Sequence, residues 1–116
     1  MKTAHVFERQ GTLYIRTYSK TTLGSWRAMG APGVLPTECT SAAIGEAVRR
    51  HLASSTVGVE FISRGMVTPP DELLQAARVR SWRAFGKLAK LVMVDEESGQ
   101  LTITPPEEYW QRVYAA

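Results

Sequence analysis

The sequence predicts an α+β domain: an antiparallel sheet built from two β-hairpins, with two α-helices packed on one face. Three observations carry this. Residues 12–19 and 100–104 are rich in β-branched and aromatic residues, and each run stands beside a Gly-bearing turn. Apolar residues recur at helical spacing through residues 37–55. A second helix start, with Thr, Pro and acidic residues in sequence, falls at residues 68–72. The chain has 116 residues, 44% hydrophobic and 22% charged, which suits one domain over residues 1–116 that buries a core without a staple.

The elements follow in order. Residues 3–9 alternate, Gln10 and Gly11 signal a turn, and residues 12–19 place Leu13, Ile15 and Thr17 on one face and Tyr14, Arg16 and Tyr18 on the other. Residues 20–36, KTTLGSWRAMGAPGVLP, read as a long loop punctuated by Gly and Pro. In the helix at 37–55, Ile44, Ala47, Val48, His51 and Leu52 form the buried stripe, and Thr37 or Thr40 caps the start. Glu38 lies near the positive end of its dipole, and Glu46 pairs with Arg49 and Arg50 on the wet side.

Residues 56–63, TVGVEFIS, form either a strand or a connection between helices. Thr68 then caps a second helix, with Pro69 or Pro70 in the first turn, Asp71 and Glu72 following, and Leu73, Leu74 and Ala77 buried. Where this helix ends is open. Trp82, Phe85, Leu88, Ala89 and Val92 keep the helical period, yet Gly86 interrupts it and LAKLVMVD is rich in strand formers. The simpler reading is a second hairpin that pairs residues 88–95 with 100–104 around the polar DEESGQ and stops at Pro105 and Pro106. The tail, EEYWQRVYAA, is a short helix or lies loose.

One echo invites a duplication: SWRAFG at 81–86 repeats five of the six letters of SWRAMG at 25–30. Superposing the copies sets the strand TLYIRTYS against a helix start, and the flanks share nothing. The echo is local.

The inventory for catalysis is thin. Cys39 is the sole cysteine, so no internal disulfide or Cys-rich zinc site forms, and a reducing compartment is expected. MKTAHVFERQ is not a signal peptide, and no stretch approaches the roughly 20 apolar residues of a membrane span. A soluble cytoplasmic protein is expected. Cys39 and His51 share the first helix at a separation of about 18 Å, too far for a thiol–base pair. Asp95, Glu96 and Glu97 lack the ligand alternation and central Gly of a calcium loop, and no phosphate- or dinucleotide-binding fingerprint is present. Neither metal, cofactor nor enzymatic activity is expected.

Two charged groups remain. The formal net charge of +3 permits an anionic partner without demanding one. Arg78, Arg80, Arg83 and Lys87, with Lys90, surround Trp82 and Phe85, and a small nucleic-acid-binding module is the alternative reading of this run. Against it, Trp82 and Phe85 stand in phase with the apolar stripe, as core residues do. Asp95, Glu96 and Glu97 fill one turn, and Glu107 and Glu108 adjoin Tyr109 and Trp110 in the tail. An acidic rim with aromatic anchors suits the recognition of a basic protein.

Four features in order give the chain a family likeness: the hairpin with TLYIRTYS, the Gly/Pro loop leading through VLP to IGEAVRRHL, the WRAFGKLAKLVMV run, and the closing GQLTITPPEEYW. Together they resemble the immunity proteins of bacterial contact-dependent growth inhibition systems. In that family an aromatic, basic run precedes a V-x-V strand, a Gly turn and an I-x-I/T-P strand; the matching positions are residues 82–91, Val92 to Val94, Gly99, and Leu101 to Pro105. The resemblance implies a cytoplasmic binding protein that neutralises the C-terminal toxin domain, often a nuclease, of a large surface protein delivered by neighbouring cells. For such a role, the contacts expected from the residues themselves are Asp95, Glu96, Glu97, Glu107, Glu108 and Trp110, with no membrane as partner and nucleic acid only in the alternative reading. The net basic charge departs from what an inhibitor of a basic nuclease usually carries.

Overall fold

The computed structural model describes residues 1–61 and 71–104. The elements are β1 (Lys2–Arg9), β2 (Thr12–Thr21), β3 (Trp26–Pro36), α1 (Ser41–Ala53), β4 (Val57–Val59), α2 (Glu72–Ala77), α3 (Trp82–Gly86), β5 (Ala89–Glu97) and β6 (Gln100–Thr104). The strands run β3-β2-β1-β5-β6 across the sheet, each antiparallel to its neighbour, and β4 pairs in parallel with the end of β2. The expected α+β class and both hairpins are present. The expectations at Thr68, Pro69 and Pro70, and those from Pro105 to the end of the chain, lie outside the described residues.

Both hairpins close on two residues with left-handed backbone. Gln10 and Gly11 have φ of 50° and 81°; Ser98 and Gly99 have φ of 51° and 79°. Such turns match the right-handed twist of the strands they join, and this is why Gln-Gly and Ser-Gly read correctly as turns.

The loop expected at residues 20–36 is mostly strand. Residues 26–36 are β3, an edge strand on β2. Its ladder breaks once: Gly33 pairs with Ile15 and Met29 with Thr17, so Gly30, Ala31 and Pro32 bulge opposite Arg16. Edge strands tolerate Pro because one side of their backbone needs no partner, and Gly30, at φ 73°, takes a conformation suited to the bulge. The Gly and Pro that argue for a loop thus shape an edge. SWRAMG begins this strand, whereas Ser81 of SWRAFG caps α3, its Oγ accepting from the Ala84 amide at 3.1 Å.

The helices divide between the two faces of the sheet instead of sharing one. α1 packs Leu52 and Val48 against Ala4, Val6, Val92 and Val94. α2 and α3 set Leu73 and Phe85 against Phe7, Tyr14 and Leu91 on the opposite face. The cause is β1, the central strand: Ala4 and Val6 point one way, His5 and Phe7 the other, and both sides must leave water. The continuous apolar run at residues 91–94 in β5 carries the same two-sided signature.

Polar staples hold α1 to its face. Thr40 caps it, accepting from the Ala43 amide at 3.1 Å, and Arg50 and His51 sit in the last turn where the dipole favours positive charge. Beyond the helix, buried Ser55 accepts from the Thr3 amide at 3.1 Å and donates to the Tyr18 carbonyl. The Thr56 amide donates to Ser19 Oγ at 3.0 Å, and the Lys20 amide to the Thr56 carbonyl at 2.9 Å. These bonds lay β4 beside β2 just past the last residues that β2 pairs with β1.

On the other face Asp71 caps α2. Its Oδ1 accepts from the amides of Leu73 (2.8 Å) and Leu74 (3.2 Å), and its Oδ2 accepts from Arg16 Nη2 at 2.9 Å. α2 ends early because Arg78 turns left-handed, at φ 57°. Of the expected apolar period, Phe85 is fully buried, while Trp82 is 40% exposed.

Candidate partner interface

The charged residues separate along β5. At its start lie Arg78, Arg80, Arg83 and Lys87, all exposed, on the arch formed by α2, α3 and their connections. At its far end Asp95, Glu96 and Glu97 lead into the β5–β6 turn. The register resolves this acidic group. Glu96 pairs with Leu101 on the α1 face; Asp95 and Glu97 pair with Thr102 and Gln100 on the opposite one. Asp95 is half-buried and accepts a hydrogen bond from Thr3 Oγ1, whereas Glu97 is exposed. Asp95 therefore belongs partly to the fold, and Glu96 and Glu97 carry the available charge. Glu107, Glu108 and Trp110 lie outside the described residues.

The two described edges of the sheet contrast. β3 is blunted by its bulge, Pro32 and Pro36, the devices that discourage strand-to-strand association. β6 has no proline and no bulge in Gln100–Thr104. It also carries Leu101 at 58% and Ile103 at 65% exposure, both on the α1 face beside Glu96 and Val94. An exposed apolar pair thus stands beside the carboxylate of Glu96 at this edge. The alternation in LTIT identifies the strand but not its position at the edge, so sequence alone did not single out Leu101 and Ile103.

The interior titratable groups are structural. Burial lowers His5 to about 4 from its ordinary 6.5, with Asp95 opposing the shift and Arg16 adding to it. Its ring stacks on Tyr18, centroids 4.0 Å apart. His51 is tied to Thr17, whose hydroxyl donates to the His51 carbonyl at 2.8 Å and lies 2.9 Å from Nδ1. Since that hydroxyl has one proton to give, Nδ1 is the protonated nitrogen. Nε2 faces Gly33, where an added Cβ would stand 2.9 Å away. Burial, then Arg50, lowers the His51 pKa. His51 is thus occupied in fixing α1 to the sheet, and Cys39 precedes the capping residue of that helix. Among the described residues no group of three or more His, Cys, Asp or Glu is placed to hold a metal ion. No helix among them is long and apolar enough to cross a membrane.

The fold has solved counterparts. A protein of unknown function, NMB0488, from Neisseria meningitidis superimposes with a TM-score of 0.66 at 20% identity, over 90% of this chain and 71% of the other. A chain of the CdiA-CT/CdiI toxin and immunity complex from Yersinia pseudotuberculosis superimposes with a TM-score of 0.64 at 17% identity, over 90% of this chain and 72% of the other. At these identities the likeness is one of fold. No protein-family model matches the sequence, and no curated protein matches it.

Proposed function

We propose that this chain is an immunity protein that binds a cognate toxin domain in the cytoplasm and neutralises it by covering a surface the toxin needs. The observation that carries this reading is the likeness, over 90% of the chain, to a chain of a toxin and immunity complex. The ordered sequence features, from TLYIRTYS to GQLTITPPEEYW, point the same way. The toxin is expected to be a nuclease, as the family resemblance implies, and no step of the inhibition requires chemistry by this chain. The contact surface is assigned to Glu96, Glu97, Leu101 and Ile103 at the β5–β6 end, with Asp95 holding the turn. Its acid would guide a basic partner and its apolar pair would anchor it.

Co-expression tests the reading. The chain alone should leave bacterial growth unaffected, and together with the toxin domain encoded beside it should restore growth and co-purify as a one-to-one complex. Growth arrest by this chain alone would make it the toxic partner instead. A complex that fails to form would remove the reading altogether.

A further inference from the structure

Residues 78–90 hold Arg78, Arg80, Arg83, Lys87 and Lys90 and no acidic residue. The five are exposed, and none makes an ion pair among the described residues. The chain as a whole carries only +3, so the remainder is net acidic and the positive charge is concentrated here. Trp82 stands in the middle of the run. Its ring lies 5.6 Å from the Arg16 guanidinium, which is itself only 5% exposed and locked to Asp71. Phe85 meets it edge-on with centroids 5.8 Å apart, and Phe7 lies tilted beside it at 6.5 Å. These contacts hold the indole in place, and 40% of Trp82 remains exposed.

A partly exposed aromatic ring held by core contacts, with exposed cations close by in the chain, suits stacking of an unpaired base while neighbouring charges hold its phosphates. From this we infer that the α2–α3 arch binds single-stranded nucleic acid through Trp82, Arg80, Arg83 and Lys87. A membrane surface fits less well. Trp82 is clamped by Arg16, Phe7 and Phe85, and Leu88 is the one other large apolar side chain exposed within residues 78–90. The inference is independent of the toxin, since the arch and the β6 edge stand at opposite ends of β5.

The test is fluorescence anisotropy of a labelled single-stranded RNA of about 12 nucleotides, titrated with the full chain in the absence of any toxin. Binding is expected at about 20 mM salt, with affinity falling at a log–log slope of about −2 to −3, the value for three or four phosphates neutralised on a single strand. The double reversal Arg83→Glu with Lys87→Glu changes exposed residues only and should weaken binding by about tenfold or more. Trp82→Ala should weaken it by about 5- to 100-fold, and Trp82→Phe, which keeps a ring and guards against a folding defect, by less. Absence of binding at low salt overturns the inference. So does binding indifferent to the charge reversals, and so does a chain that binds anionic phosphatidylserine vesicles but not the oligonucleotide.

Discussion

The two ends of β5 are built differently. At the basic end the charges ride on an arch tied into the core: Arg16 pairs with Asp71, faces Trp82, and Trp82 meets Phe7 and Phe85. At the acidic end Glu96 and Glu97 close β5 just before a two-residue hairpin turn, and the register alone positions them. Changes to the buried Arg16–Asp71 pair at the first end should therefore be felt as stability, and changes at the second end as recognition.

The largest effect is expected at the basic end. Asp71→Ala removes the cap of α2 and leaves the Arg16 guanidinium buried without its partner. The expected loss is about 3–5 kcal/mol by chemical denaturation. A loss below about 1 kcal/mol would mean the arch is not held through this pair.

Next comes acid, which acts between the two ends through His5. Its folded pKa of about 4 lies below the ordinary 6.5, so the unfolded chain takes up this proton first as pH falls. The contribution is complete above about pH 6.5 and is lost progressively down to pH 4, to a total of about 3 kcal/mol. His51, also lowered, acts in the same direction. Urea midpoints measured between pH 7 and pH 4 should fall more steeply for the native chain than for His5→Gln. Parallel profiles would contradict the burial of His5.

A smaller effect is expected where α1 hands over to β4. Ser55→Ala deprives the Thr3 amide of its acceptor and should cost about 1–3 kcal/mol. Amide exchange at Thr3 should quicken in that variant, whereas exchange in β6 should not change.

How far the sequence disclosed these ends follows from what each feature depends on. The hairpins were legible because Gln10 with Gly11 and Ser98 with Gly99 are local signals, as is the alternation in TLYIRTYS and LTIT. β3 was hidden because Gly30, Pro32 and Pro36 read alike as loop or as a bulged edge, and only the neighbouring strand decides. The split of the helices between two faces was foreshadowed by the run at residues 91–94, but which helix covers which side depends on strand order. Strand order also decides that Leu101 and Ile103 stand at an edge. Trp82 kept the helical period and was expected in the core; α3 is only five residues long, so the period carries Phe85 inside and leaves Trp82 at the rim.

The smallest stability effect is expected at the acidic end, where recognition of the toxin is expected to reside. Glu96→Lys with Glu97→Lys, leaving the Thr3-bonded Asp95 in place, should shift stability by no more than about 0.5 kcal/mol. The decisive measurement is the association rate of this variant with the cognate toxin domain, followed at several salt concentrations alongside growth protection. Slower association, a weaker salt dependence and reduced protection are expected, with the fold intact. A variant that binds as fast as the native chain and protects as well would contradict the assignment of the β5–β6 end as the toxin-binding surface.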